Sequence, residues 1–112
     1  MKTFDRDNRA SIILFNAPTK DEAKRVRRKL LEEKLIRGGF IVPVESGYLA
    51  QDGEIIEDHD YFVVFAHTLN TFTKEALETI EKISDSFGMS WDLKEGTDDY
   101  AKWVFFSDQT LL

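Results

Sequence analysis

The sequence predicts an α+β domain, a β-α-β-β-α-β sandwich with an extra C-terminal helix. Three observations carry this. Two segments have apolar residues at helical spacing, each stopped by glycine, and four short runs are rich in strand formers. The segments alternate in the order strand, helix, two strands, helix, strand. A chain of 112 residues, 42% of them apolar and nine of them phenylalanine, suffices for one domain with a real core.

Residues 1–10 are polar and unpatterned, and are expected to form a flexible N-terminal segment before a single domain over 11–112. The run "SIILFNA" (11–17), closed by Pro18, reads as a buried strand. Thr19 and Glu22 then form a capping box for a helix that places Ala23, Val26, Leu30 and Leu31 on one side. Gly38-Gly39 is the expected helix stop.

"FIVPVESGYLA" (40–50) and "IIEDHDYFVVFAHT" (55–68) read as two strands of a hairpin turned by Asp52-Gly53. Pro43 has no amide proton, which puts the first of these at an edge or a bulge. A second helix is predicted from about Thr73, with Phe72, Ala76, Ile80, Ile83 and Phe87 on one face and Gly88 past its end. "MSWDLKEG" (89–96) alternates as a fourth strand, and 98–109 reads as a short helix with Asp98 and Asp99 at its positive end. Right-handed crossovers turn this order into a four-stranded antiparallel sheet with two helices on one face, the ferredoxin-like arrangement.

Composition narrows the function. Without cysteine there are no disulfides, thiolate nucleophiles or cysteine-based zinc sites. No apolar run is long enough to cross a bilayer or follows a basic N-terminus, so a cytoplasmic protein without membrane contact is expected. A net charge of −6 argues against nucleic acid. The charge is nevertheless segregated: eight of fifteen basic residues lie between Lys20 and Arg37, and there are none from Gly38 to Thr73. Complementary segments of this kind suit self-association or a protein partner.

Motifs for nucleotide binding, serine hydrolysis and zinc proteolysis are missing. Glu57, Asp58, His59 and Asp60 are ligand types for a divalent ion such as copper or zinc. On a regular strand Glu57 and His59 share one face and Asp58 and Asp60 the other, so at most two reach one ion, with help from Glu45 or another chain. His67 lies on the face of His59 but about 27 Å along an extended strand, too far for joint ligation. Glu45, Ser46 and Tyr48 are the candidate ligand-binding residues, and Tyr48, Glu45 and His59 would serve a small enzyme with an intersubunit site.

The stretch "APTKDEAKRVRRKLLEEKLIRGGFIVPVESGYLAQDGEIIEDHDYFVVFAHT" resembles the CutA divalent-cation tolerance family. Leu35, Ile41, Val42, Pro43, Gly53 and Thr68 stand at matching places, and Asp99-Tyr100-Ala101-Lys102-Trp103-Val104 is similar to the family's terminal Asp-Tyr-Leu-x-Trp-Leu. The resemblance covers about residues 11–107. It implies a non-catalytic homotrimer with long hairpins pairing strands between neighbours, a link to copper tolerance, and a likeness to the PII signalling proteins, which hold ligands in clefts between subunits. Tyr48, Ile55, Tyr61, Tyr100 and Trp103 are the expected subunit contacts. The chain also departs from the family. Gly38 stands for the family cysteine and Phe40 for its asparagine, the hairpin tryptophan has no counterpart near Ala50-Gln51, and Ser84-Asp85-Ser86-Phe87 lies near the position of the His-Pro-Tyr-Glu stretch. Ser46 and Tyr48 come one residue early. A metal-free interaction module on the same scaffold is the alternative reading.

Overall fold

The structure, a computed structural model, describes residues 1–105. Its elements are β1 (Lys2–Thr3), β2 (Ala10–Ala17), α1 (Lys20–Glu32), β3 (Gly38–Leu49), β4 (Ile55–Leu69), a 3₁₀ turn (Asn70–Phe72), α2 (Thr73–Ile83), β5 (Gly88–Asp92), β6 (Glu95–Gly96) and α3 (Asp98–Phe105). The expected helix end at 106–109 lies outside the described residues. The main sheet runs β3-β4-β2-β5, antiparallel throughout, which is the ferredoxin-like order. Pro43 sits in β3, an edge strand, where its missing donor costs no ladder bond on the open side.

One face of the sheet is closed. Ile13, Phe15 and Ala17 of β2 and Val64 and Ala66 of β4 pack against Ala23, Val26 and Leu30 of α1 and Ala76 and Ile80 of α2. Burying each larger apolar side chain here contributes about 1.5–3 kcal/mol. Two buried hydroxyls on this face are satisfied: Thr68 donates to the Leu35 carbonyl at 2.6 Å, and Ser11 donates to Asp92 at 2.7 Å.

Several local expectations shift, each for a physical reason. Thr19 Oγ1 caps α1 by accepting from the Glu22 amide at 3.1 Å, but the Glu22 carboxylate turns to Arg25 instead of closing the box. That hydrogen bond to the guanidinium holds the Glu22 carboxyl below its ordinary range. The helix ends well before Gly38-Gly39. Lys34 adopts φ 60° while Leu35 N–H bonds to Leu30 O and Lys34 N–H to Leu31 O, a Schellman cap with lysine in the glycine position. The buried pair Leu30 and Leu35 supplies its apolar contact, and Leu31 is exposed.

Further along, α2 stops at Ile83, where Ser84 N–H bonds to Ile80 O, so Phe87 lies beyond the helix and is 76% exposed while Gly88 opens β5. The predicted strand 89–96 is broken after Asp92: Leu93 N–H bonds to Ala10 O, and Glu95–Gly96 leaves to pair with Lys2–Thr3. The first ten residues, expected to be loose, thereby gain a strand. Phe4 is buried in a second small core with Ala10, Leu69, Ala101 and Val104, its ring edge-on to Phe105.

Candidate functional site: the open sheet face and its ribbon

β4 is 15 residues long, but β2 pairs with it only from Phe62 to Leu69. Among the described residues, the stretch from Ile55 to Tyr61 has β3 alone paired beside it, so a two-stranded ribbon projects from the sheet and the molecule measures 48 × 27 × 21 Å. A loop over Ala50–Glu54 turns it, with Gly53 at φ 89° and the Asp52 carboxylate accepting from the Glu54 amide. An isolated two-stranded ribbon is marginal in water.

The side of the sheet away from α1 and α2 continues without a break along this ribbon. Directly opposed pairs on it are Phe40–Phe65, Val42–Val63, Val44–Tyr61 and Ser46–His59. Beside them, Leu14 pairs with Phe65 and Met89, and Ile12 with Trp91. This side is apolar yet open: Phe40 is 65% exposed, Met89 50% and Trp91 43%. Exposed apolar patches of this kind mark contact surfaces.

A bulge decides which candidate residues meet. Ser46 pairs with His59 but Tyr48 with Ile56, so Glu57 and Asp58 together oppose Gly47, and Asp58 takes φ 58°. The extra residue reverses the alternation beyond it. Tyr48 follows Ser46 on the open side by the regular alternation of β3, with its ring centroid 6.0 Å from that of His59, and His59 in turn lies 5.5 Å from Tyr61. Glu57 goes to the other side: its Cγ lies 3.8 Å from where a Cβ on Gly47 would stand. Glu45, directly opposite Asp60, also points away from Ser46 and Tyr48. Glu57 and His59 thus do not converge within one subunit, and neither do Tyr48, Glu45 and His59. Among the described residues no group of three His, Asp or Glu side chains is arranged to hold a metal ion. Gly38, at the family cysteine position, offers no donor, and the Trp103 ring fills its space, 3.1 Å from where a Cβ would be.

At the other end of the same face, His67 sits half-buried under α3. Its Nδ1 lies 3.0 Å from the Tyr100 hydroxyl, and its ring makes edge contacts with Phe40, Tyr100 and Trp103 at centroid distances of 5.4, 5.5 and 5.4 Å. Arg37 reaches over Trp103, 5.6 Å from the ring centroid, and its Nε donates to the Trp103 carbonyl at 3.1 Å. Burial lowers the His67 pKa and pushes the Tyr100 hydroxyl up to about 12. Tyr100 and Trp103, expected at a subunit contact, are thus already engaged within the chain. In the sequence, His67 stands out only as a distant ligand partner for His59. The helical spacing of Tyr100 and Trp103 and the side-chain-free Gly38 opposite His67 are the signals that bear on this cluster.

Residues 11–106 match the family described as the CutA1 divalent ion tolerance protein. This chain belongs to that family. The divalent-cation tolerance protein CutA of Thermus thermophilus is 23% identical over 95 residues, a match spanning 83% of this chain and 92% of that one. The crystal structure of the CutA1 divalent ion tolerance protein from Ehrlichia chaffeensis shares the fold with a TM-score of 0.80 and 27% identity over 94% of this chain and 98% of its own. The periplasmic divalent cation tolerance protein CutA of Archaeoglobus fulgidus gives a TM-score of 0.79 at 22% identity, covering 92% and 99% of the two chains. Among the described residues of the CutA1-family chain, no helix is long and apolar enough to cross a membrane.

Proposed function

We propose that this CutA1-family chain works as a non-catalytic homotrimer in the cytoplasm, serving divalent-cation tolerance, copper included, or the response to a small ligand held between subunits as in PII-like proteins. The observation that supports this reading is the uncovered apolar face that runs unbroken from Trp91 and Phe40 onto a ribbon with no cover of its own. A contact there would bury Phe40, Val42 and Met89 and steady the ribbon at once. A notch of about 250 Å³ between the ribbon, the end of β2 and the 85–87 loop, lined by Asn16, Glu22, His59, Tyr61, Asp85 and Phe87, is the candidate small-ligand cleft. Light scattering tests the assembly: the expected particle has about three times the 13.0 kDa subunit mass, and a stable monomer overturns it.

The separation of Glu57 from His59 favours a second reading, an interaction module on the same scaffold that binds a partner protein without metal. Any copper or zinc site using either residue would have to take donors from two subunits. Calorimetry with both ions separates the readings. Site-specific binding that His59→Ala removes supports the metal role; heats unchanged by that substitution favour the module.

A further inference from the structure

We propose that His67 and Tyr100 form an acid-sensitive clasp that holds α3 across the open sheet face, so that helix docking, and with it the shape of that face, follows pH. The contact lies within one chain.

The geometry makes His67 the point where α3 meets the sheet centre. α3 touches the sheet through Tyr100 and Trp103 around the imidazole, and through Ala101 and Val104 in the small core with Phe4, Ala10 and Leu69. Gly38, paired with His67, leaves the space that the Trp103 ring occupies. In the neutral tautomer that carries the imidazole proton on Nε2, the Tyr100 hydroxyl donates to Nδ1, and this is the tautomer the clasp uses.

Among the described residues, α3, the segment before β3, β3 and β2 supply the groups that face the imidazole. From α3 they are Tyr100 and Trp103. From the segment before β3 comes Arg37, whose amide donates to the His67 carbonyl at 2.6 Å and whose guanidinium lies over Trp103. Gly38 and Phe40 of β3 and Ile12 of β2 are uncharged. Among the described residues the charged neighbour is a cation, and a proton added to His67 meets aromatic walls and Arg37 there.

Protonation also takes away the Nδ1 lone pair that accepts the Tyr100 proton. The sign follows from burial. His67 has its pKa lowered from the ordinary 6.5 when α3 is docked, so the undocked state binds the proton more readily. Docking strength is full above 6.5 and falls as pH drops from there through the lowered value. The loss cannot exceed tenfold in the docking equilibrium for each pH unit in that window, since one proton is involved.

The test is the amide hydrogen-exchange protection of residues 98–105 in the full chain, corrected for intrinsic exchange, from about pH 7.5 to about pH 5. Emission of Trp103 in a Trp91→Phe background gives a parallel readout. The wild-type chain is expected to lose α3 protection, and its emission to shift to the red, with a midpoint below 6.5. His67→Gln keeps a hydrogen-bond acceptor and does not titrate, so its α3 protection should stay flat. Tyr100→Phe keeps the ring but not the donor to the neutral imidazole, and should move the midpoint up towards 6.5 even if the glutamine variant docks poorly. Constant protection in the wild-type chain overturns the proposal. So does an acid response of the same size in His67→Gln, which would assign it to another group such as His59, or a midpoint that Tyr100→Phe leaves unmoved.

Discussion

Two faces of one strand divide the labour of this molecule. Along β4, Val64, Ala66 and Thr68 are buried beneath the helices, while Val63, Phe65 and His67 between them are only half-covered. The residue types are nearly as apolar on both sides, so the difference lies in what lies above them. One face folds the chain. The other leaves Phe40, Val42, Met89 and Trp91 exposed, and among the described residues α3 roofs its end. The energy that stabilises the subunit and the energy available for association are thus carried by alternate residues of the same strands.

The largest effect should separate these faces directly. Phe15 is fully buried in the helix-covered core, and Phe15→Ala should cost about 3–5 kcal/mol in denaturant unfolding, through lost transfer energy and a cavity. Phe40→Ala on the open face should cost no more than about 0.5 kcal/mol in dilute protein, with a loss that grows with concentration. Equal and concentration-independent losses would mean that the two faces do the same work and would break the comparison.

Next in size is Thr68→Val on the covered face. The substitution keeps the shape but leaves the Leu35 carbonyl without its 2.6 Å donor in a buried place, for an expected cost of about 1–3 kcal/mol. A midpoint unchanged in urea would show that water reaches this carbonyl and that the covered face is leakier than its packing implies.

How the covered face was legible in the sequence, and the open one less so, has a local cause. Helical spacing at Ala23, Val26 and Leu30 and at Ala76 and Ile80, and the order of the strands, report burial against near neighbours, and the core has that membership. The errors lie where a distant contact or an unusual backbone decides. Gly38-Gly39 looked like the helix stop because glycine is the usual left-handed residue, yet Lys34 takes that place and Gly38 makes room for Trp103 instead. Phe4 is buried by residues nearly a hundred positions away, which no local pattern announces. The bulge at Asp58, a non-glycine residue at φ 58°, turned Glu57 to the other face relative to a regular strand, and so dissolved the expected pairing of Glu57 with His59. The resemblance to the family reached the scaffold but not the site, since Gly38 and the 84–87 loop lack the family's donors. A direct check on the cap is Lys34→Gly. It should stabilise the chain by about 1 kcal/mol, because glycine adopts the left-handed region without the Cβ penalty. Destabilisation would mean that the lysine side chain makes a contact worth more than its strain.

The smallest predicted effect concerns the ribbon, where among the described residues neither face has a helix over it. Glu45 and Asp60 are exposed and directly opposed across β3 and β4, and both are acidic. Like charges in that position destabilise a strand pair, and opposed pairs differ by roughly 0.2–1 kcal/mol. Glu45→Thr removes one charge and adds a strand-forming residue, so it should steady the ribbon by an amount in that range, read as slower amide exchange at 55–61. Because both groups are solvated, the gain should shrink in about 1 M salt, where the screening length is about 3 Å. A gain untouched by salt would make it a matter of strand propensity. A loss at every ionic strength would mean that the two carboxylates answer a cation or a basic surface brought by another chain, which would turn the uncovered ribbon into half of a shared site.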